Sequence, residues 1–270
     1  MSAKNSSAKK AMSTKLIEIQ KIIKAEKPLI HHITNNVTVN DCANITLNWG
    51  ALPVMAPAVE ESAQMVENAA ALVLNLGTIS SSQLDSMLKA GRRANELQIP
   101  IVLDPVGVGA TKYRGEAAQK ILSELKISLI KGNKGEISFL AGKAAEVRGV
   151  ESIGEYKEIE KSANQLARRL KAVVVVSSKV DLISDGNQQS KINKGHVMLS
   201  EVVGTGCMLG STLGVFTAAA KDSNLSLFEA VQTAVYNYSL AGEKAAKKVK
   251  TPAKFKIEFM DAIYNLKYCL

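Results

Sequence analysis

The segment Ile101-Val102-Leu103-Asp104-Pro105-Val106-Gly107-Val108-Gly109-Ala110 indicates an α/β fold, because a short apolar run passes directly into a glycine-containing loop. Continuous apolar runs of this length are typical of strands that are buried on both faces of a parallel sheet. Similar runs and helix-length amphipathic segments alternate along the chain. The runs cover residues 71–76, 127–130 and 172–176, and the amphipathic segments cover residues 80–97, 115–125, 134–142 and 157–170. These repeated βα units predict a doubly wound, mostly parallel sheet flanked by helices.

The length of the chain, 270 residues, lies near the upper limit for one hydrophobic core, and the composition shows no break into two. We therefore expect a single domain over residues 13–270. Residues 1–12 are polar and predict a disordered or expression-derived tail, with the first helix beginning at Ser13. The last third is rich in helix formers and predicts helices over residues 206–220, 226–247 and 254–267.

Composition argues against several classes of protein. The net charge is +9, but the lysines are scattered and aromatic residues make up only 4% of the chain, which argues against a nucleic-acid binder. No apolar stretch is long enough to cross a bilayer. The three cysteines are far apart and odd in number, which predicts neither a disulfide framework nor a paired metal site. A cytoplasmic protein that attracts anionic nucleotides fits these properties.

The segment Gly204-Thr205-Gly206-Cys207 places a cysteine where a glycine-rich turn runs into a helix. Glycines let backbone N–H groups approach a ligand closely, and the helix start adds donors and the positive end of its dipole. The segment therefore predicts an anion site, with a Cys207 thiol whose pKa is lowered toward the thiolate. The alternative is an ordinary helix cap with Cys207 as a small buried hydrophobe. The segment alone leaves both interpretations open.

Asp104 ends an apolar run and precedes a loop in which Gly107 and Gly109 allow close backbone approach to a ligand. A carboxylate in this position can hold a metal ion. Aspartate before proline is also a common turn starter, so the metal ligand and the turn are equally compatible with the sequence.

Asn133 and Glu136 lie three residues apart and share one face of a helix that starts at Asn133. Oxygen ligands with retained water suit Mg²⁺, so the pair is compatible with a metal site. An asparagine N-cap with glutamate at the third helical position is also a capping box. Without further context the spacing favours the capping box.

Residues 31–36 combine two adjacent histidines with two adjacent amides. On an extended segment, neighbouring rings point to opposite sides, so His31 and His32 do not indicate a metal site. The amides of Asn35 and Asn36 suit hydrogen bonding in a small-molecule pocket, with a plain Asx turn as the alternative. In open α/β sheets ligands bind beyond the carboxyl ends of the strands, so this loop and those after residues 104 and 203 are expected to converge.

These segments, in this order, resemble the hydroxyethylthiazole kinase family of the ribokinase-like superfamily. The resemblance runs from about Pro28 to at least Gly214, through residues 33–37, 50–55, 74–78, 103–111, 130–137 and 203–207. Cys207 is especially diagnostic, because most ribokinase-like enzymes carry aspartate at that position of a Gly-x-Gly-Asp motif. The resemblance implies a ribokinase-like, three-layer fold. It also implies a kinase of thiamine salvage and biosynthesis that transfers the ATP γ-phosphoryl group to the primary alcohol of 4-methyl-5-(2-hydroxyethyl)thiazole.

In that reaction the resemblance gives Cys207 the role of taking the hydroxyl proton, with Gly204, Thr205 and Gly206 surrounding the transferring phosphoryl group. Phosphoryl transfer depends mainly on positioning and charge neutralisation, which agrees with an anion site at this turn. The resemblance further implies that the thiazole contacts Met55, together with Gly204 and the region of Asn35.

ATP and Mg²⁺ complete the implied site. Lys131 and Ser177 match family positions that contact ATP, and Asp104 and Glu136 match the acidic pair tied to Mg²⁺. Two positions depart from the family pattern: Lys131 stands where arginine is frequent, and Ser177-Ser178 stands where Thr-Gly is common. Both keep a hydrogen-bond donor, which predicts altered nucleotide affinity more than lost function. Family members form trimers with sites at subunit interfaces, so a homotrimer is expected.

Two other classes of function remain as alternatives. One is a different ribokinase-like enzyme, either a kinase for another vitamin-like alcohol such as a pyrimidine or pyridoxal, or a nucleotide-dependent dehydratase of hydrated NAD(P)H. Cys207 and Met55 argue against it. The other is a non-catalytic nucleotide or polyanion binder, against which the combination of Asp104, Glu136 and Cys207 argues.

Overall fold

The computed structural model describes residues 2–143, 147–148, 151–152 and 159–266. Its main sheet has eight strands in the order β10-β9-β8-β5-β4-β3-β1-β2. These strands are β1 (Leu29–Ile33), β2 (Leu52–Met55), β3 (Ala71–Asn75), β4 (Ile101–Asp104), β5 (Leu129–Asn133), β8 (Val173–Ser177), β9 (Asp181–Ser184) and β10 (Gln189–Ile192). In the main sheet, six neighbouring strands pair in parallel, namely β8, β5, β4, β3, β1 and β2. At one edge, β9 and β10 add antiparallel pairs. Two short strands, β6 (Val147–Arg148) and β7 (Glu151–Ser152), pair separately.

Helices cover both faces of this sheet and give three layers. One face carries α1 (Ser2–Glu26), α2 (Val39–Trp49), α8 (Thr205–Ala220), α9 (Leu227–Lys248) and α10 (Pro252–Leu266). The other carries α3 (Ser62–Val66), α4 (Ser81–Glu96), α5 (Lys112–Glu124), α6 (Lys134–Leu140) and α7 (Ile159–Leu170). A one-turn 3-10 helix, Val197–Leu199, precedes α8.

The pleat of the strands divides the core into two layers. Within β3, Leu72 and Leu74 pack against the helices of one face, and Ala71 and Val73 pack against those of the other. All five residues of β3 are buried, as expected for a central strand covered on both sides. The uninterrupted apolar run in the sequence is therefore explained by burial on two faces.

The structure confirms the predicted α/β class and most of the predicted elements. The strand predicted at residues 127–130 lies two residues later, because Ile127 and Ser128 form its approach. The sequence patterns did not indicate α2 or the β9–β10 hairpin, because α2 carries polar residues through its length and the hairpin strands are short. Residues 157–158 and 267, at the ends of two predicted helices, lie outside the described residues, as does Cys269.

The N-terminus differs from the sequence prediction. Residues 1–12 were expected to form a tail, yet α1 already begins at Ser2. Residues 2–12 contain neither glycine nor proline and several alanines and lysines, which are good helix formers, so the helix can extend beyond its buried part. The apolar side chains that anchor α1 begin at Leu16 and continue with Ile19 and Ile23. Across the part of the chain that the structure describes, no helix combines the length and apolar character needed to cross a membrane.

Candidate active site

The carboxyl ends of the parallel strands bring the predicted site residues to one edge of the sheet. In register, Asn75 lies beside Asp104, and Asn133 lies beside Ser177. Lys131 precedes the end of β5 by two residues, and the turn before α8 contributes Cys207 to the same region. This arrangement confirms that the loops converge, and it follows from the parallel direction of the strands.

The start of α8 depends on a glycine in a left-handed conformation. Gly204 has φ of +97°, and a Cβ at this position would lie 2.8 Å from Cγ2 of Thr38. The helix begins at Thr205, where the Tyr238 hydroxyl donates to the Thr205 carbonyl at 2.5 Å. No side chain among the described residues caps this helix, so its first backbone N–H groups are not used by a cap. The turn therefore has the geometry of an anion site.

Cys207 lies in the first turn of α8, where its Sγ accepts a hydrogen bond from Asn35 Nδ2 at 3.3 Å. Burial raises the pKa of the Cys207 thiol, and the charge of Asp104 adds to the rise, while Lys131 opposes it. The expectation that the helix start lowers this pKa is therefore wrong. Removal from water and a nearby carboxylate outweigh the helix dipole and the neighbouring ammonium.

Asp104 and Lys131 form a buried ion pair behind this turn. Lys131 Nζ lies 3.1 Å from Asp104 Oδ1, and the carboxylate has no exposed surface. Burial raises the pKa of Asp104, opposed by Lys131 and by the Asn75 amide. Burial would lower the pKa of Lys131, but the charges of Asp104, Glu136 and Cys207 raise it overall. The same Nζ lies 3.2 Å from where a Cβ of Gly206 would stand, so a positive charge faces the start of α8.

Glu136 forms the capping box that its spacing favoured. Asn133 Oδ1 accepts the Glu136 N–H at 2.9 Å, and Glu136 Oε2 accepts the Asn133 N–H at 2.7 Å. Its Oε1 accepts the Gly107 N–H at 2.8 Å, which ties the loop after β4 to α6. Burial raises the pKa of Glu136 to about 7.

The acidic pair fits a hydrated magnesium ion better than a directly caged one. Among the described residues, no group of three histidine, cysteine, aspartate or glutamate side chains could hold a metal ion. Each oxygen of Asp104 and Glu136 already accepts one hydrogen bond. Each oxygen also keeps a second lone pair. Mg²⁺ usually keeps several waters and takes only one or two carboxylates, so these residues are compatible with it.

The residues expected to contact substrates lie on either side of this centre. Asn35 is buried just beyond β1, whereas Met55 is half-buried at the end of the edge strand β2. Ser177 ends β8, and its hydroxyl donates to the Gly132 carbonyl at 3.3 Å. The residues expected to contact the thiazole and the residue Ser177, expected to contact ATP, therefore lie toward opposite ends of the same sheet edge.

Two residues of the site were missed by sequence analysis. Asn75 Nδ2 donates to Asp104 Oδ2 at 2.8 Å. The signal for Asn75 was an amide that ends a buried apolar run. Arg114 donates to the carbonyls of Leu76, Val106 and Gly77 at 2.5, 2.7 and 2.6 Å, and so joins the loops after β3 and β4. No sequence signal identified Arg114, because its partners are backbone carbonyls of distant segments.

Comparison with known proteins agrees with this geometry. Residues 19–268 match the hydroxyethylthiazole kinase family. The hydroxyethylthiazole kinase of Thermoanaerobacter pseudethanolicus is 51% identical over 251 residues, which cover 92% of this chain and 94% of that protein. The Methanocella arvoryzae hydroxyethylthiazole kinase is 50% identical over 244 residues, 90% of each chain.

Solved structures give the same result for the fold. The hydroxyethylthiazole kinase structure from Pyrococcus horikoshii aligns with a TM-score of 0.84 and 38% identity, covering 95% of this chain and 97% of that one. A ribokinase-like superfamily protein from Enterococcus faecalis aligns with a TM-score of 0.64 at 15% identity, covering 90% and 89%. The second likeness supports the fold alone, and it confirms the ribokinase-like architecture.

Proposed function

The chain belongs to the hydroxyethylthiazole kinase family, and from this membership we propose that it transfers the γ-phosphoryl group of ATP to the primary alcohol of 4-methyl-5-(2-hydroxyethyl)thiazole. The observation that carries the proposal is the meeting of Cys207, in the uncapped first turn of α8, with the buried Lys131–Asp104 pair. A thiol, free N–H donors and an ammonium group at one point supply a base, an anion site and a positive charge.

In the proposed reaction the alcohol oxygen attacks the γ-phosphorus. A new P–O bond forms as the bond to the leaving ADP oxygen breaks. The backbone N–H groups of Gly204, Thr205, Gly206 and Cys207 surround the transferring group, and Lys131 offsets its negative charge. The alcohol proton passes to the thiolate form of Cys207, which becomes the thiol and releases the proton to solvent before the next turnover. Because burial raises the pKa of this thiol, the thiolate that accepts the proton is a strong base when formed.

Magnesium, when bound, neutralises charge on the triphosphate. Asp104 and Glu136 would hold it, largely through retained water. Lys131 and Ser177 contact ATP, while Met55, Asn35 and Gly204 contact the thiazole alcohol. These assignments rest on the family positions together with the placement of all six side chains and of the Gly204 backbone at one sheet edge.

The protein is further proposed to be a cytoplasmic homotrimer. Large apolar side chains are exposed beside the site: Val203, next to the α8 turn, has 72% of its surface exposed, and Val37, next to Asn35, has 66%. Apolar side chains concentrated around a site favour a surface covered by a neighbouring subunit.

A coupled assay of ADP release tests the proposed activity directly. With ATP, Mg²⁺ and the thiazole alcohol, we expect turnover well above the ATPase background and a phosphorylated thiazole by mass spectrometry. Pyridoxal and a hydroxymethylpyrimidine serve as competing acceptors in the same assay. ADP release that is no faster with the thiazole alcohol than without it would contradict the proposal.

A further inference from the structure

A chain of hydrogen bonds joins the Asp104 carboxylate to the Cys207 thiol through two side-chain amides. Asn75 Nδ2 donates to Asp104 Oδ2 at 2.8 Å. Asn35 Nδ2 donates to Asn75 Oδ1 at 2.9 Å and to Cys207 Sγ at 3.3 Å. Asn35 and Asn75 are 3% and 2% exposed, so bulk water does not compete for these bonds. We call these two residues the amide relay.

Backbone N–H groups fix the orientation of both amides. The Gly77 N–H donates to Asn75 Oδ1 at 2.9 Å. The N–H groups of Val37 and Thr38 donate to Asn35 Oδ1 at 3.1 and 3.0 Å. A backbone N–H can only donate, so the atoms that it meets must be the amide oxygens. The Nδ2 groups therefore face Asp104 in one case and Asn75 with Cys207 in the other, and this direction does not depend on where hydrogens are placed.

Packing holds the relay in this position. Asn75 and Asp104 are register partners on adjacent parallel strands, so their side chains lie side by side at the sheet edge. A Cβ at Gly77 would lie 2.7 Å from Cβ of Asn35, which shows how closely the loop after β3 covers this amide. Asn35 therefore has little room to turn away from Cys207.

We infer that Asn75 is a positioning residue for phosphoryl transfer, because it holds the Asn35 amide so that one N–H points at Cys207 Sγ. The inference rests on the proposed function, in which this sulfur accepts the alcohol proton. An N–H donor that points at the sulfur favours the charged thiolate, which is the form that can accept the alcohol proton. Asn75 acts through Asn35 and does not touch the reacting atoms. Its second bond, to Asp104, connects the base with the carboxylate proposed for the metal.

A double-mutant cycle on the full-length protein tests this role. Asn75→Leu removes the bonds of Asn75 to Asp104 and to Asn35 with little change in volume. We expect kcat to fall about tenfold, because only the bond to Asn35 positions Cys207 and one lost hydrogen bond has about this effect. In a Cys207→Ala background the same change should alter the residual kcat less than about twofold, because the group that Asn75 positions is gone. An equal loss in both backgrounds would mean that Asn75 acts only on the structure or on Asp104, and would overturn the inference.

Asn164→Leu on α7 is the matched control. It removes an amide that donates to Ser184 Oγ and to the Gly186 carbonyl, away from the sheet edge that carries the site. We expect wild-type kcat from this variant. A kcat loss in Asn164→Leu equal to that in Asn75→Leu would assign the effect to general destabilisation and would also overturn the inference.

A spectroscopic measurement tests the relay without using turnover. In protein labelled with ¹⁵N-asparagine, the side-chain amide signals of Asn35 should shift in both Cys207→Ala and Asn75→Leu, and should stay unchanged in Asn164→Leu. Unshifted Asn35 signals in Asn75→Leu would contradict the relay. If the variants show these shifts but the wild-type protein does not phosphorylate the thiazole alcohol, the proposed function is contradicted and the hydrogen-bond network remains established.

Discussion

At the scale of single residues, burial controls the chemistry of the site more than local sequence does. The turn before α8 has the helix dipole and the ammonium of Lys131 nearby, and both favour a thiolate. The Cys207 pKa is nevertheless raised, because desolvation and the Asp104 charge are stronger. The resting side chain is therefore favoured as the thiol, and the thiolate proposed as the base is its minor form.

Cys207→Ala should lower kcat about 100-fold and leave measurable turnover, since general-base catalysis typically contributes 10²–10⁴-fold and the proton leaves late in a loose transition state. The KM for ATP should change little, because the proposed partner of Cys207 is the alcohol. Steady-state kinetics by ADP release measures both constants. Wild-type kcat from Cys207→Ala would show that the thiol is not the base.

Lys131→Met tests the buried ion pair. Removing the ammonium leaves the Asp104 carboxylate buried without its counter-charge, and we expect a loss of about 3 kcal/mol in the free energy of unfolding. The KM for ATP should also rise. Urea denaturation measures the stability.

The control for that variant is Lys248→Met, which removes the same group from an exposed pair with Glu258 at 2.9 Å. Exposed pairs contribute little, so the free energy of unfolding should stay nearly unchanged. Equal losses in the two variants would contradict the view that burial makes the Lys131–Asp104 pair important.

At the scale of elements, α8 links the reacting groups to the core. Its first turn carries Cys207, while Met208 and Phe216 further along are fully buried, and Phe216 packs edge-to-face on Trp49 of α2 at 4.9 Å between ring centroids. The position of the anion site is thus set by a long buried helix. Gly204, which precedes this helix, is the position of the element where a substitution should disturb the anion site most.

Gly204→Ala should destabilise the protein by about 2 kcal/mol or more and reduce kcat. The backbone of Gly204 is left-handed, and the added Cβ would lie 2.8 Å from Cγ2 of Thr38. Gly142→Ala separates these two causes. Gly142 has φ of +80° with nothing within 4 Å of the added Cβ, so we expect only about 1 kcal/mol from backbone strain. Thermal unfolding compares the two variants, and equal losses would rule out the Thr38 contact as a cause.

The histidines of β1 make stability depend on pH. His32 is buried, its Nδ1 lies 3.0 Å from the Ile30 carbonyl, and burial lowers its pKa to about 4. The pKa of His32 is about 4 in the folded protein and near 6.5 in the unfolded chain, so between these pH values the unfolded chain binds a proton at His32 more readily. The contribution of His32 to the free energy of unfolding therefore decreases by about 3 kcal/mol as the pH falls through this window.

His32→Leu should flatten this part of the pH profile, measured by urea denaturation at pH 7, 5.5 and 4.5. His196→Leu, at an exposed position outside the strands, is the control and should leave the slope unchanged. A His32→Leu profile as steep as the wild type would assign the acid sensitivity to other groups.

At the scale of the whole molecule, the parallel sheet gathers segments that are far apart in sequence at one edge, and the exposed Val37 and Val203 adjoin residues of the site there. Light scattering should give about three times the 28.9 kDa of one chain. Val203→Asp should shift the mass toward one chain and lower kcat together, because a buried charge at a subunit contact is costly. A fully active monomer would contradict the proposed trimer.

The sequence determined the α/β class, the central strands, the capping box at Asn133 and the family, because these depend on local periodicity, short spacings and ordered motifs. Opposite placement of His31 and His32 also followed from strand geometry, and their rings contact different partners, Ala56 and Ile30. The tertiary structure alone decided the Lys131–Asp104 pair, the amide relay and the raised pKa of Cys207. Each depends on how deeply a side chain is removed from water and on which distant strand lies beside it, and neither property is encoded by nearest neighbours in the chain.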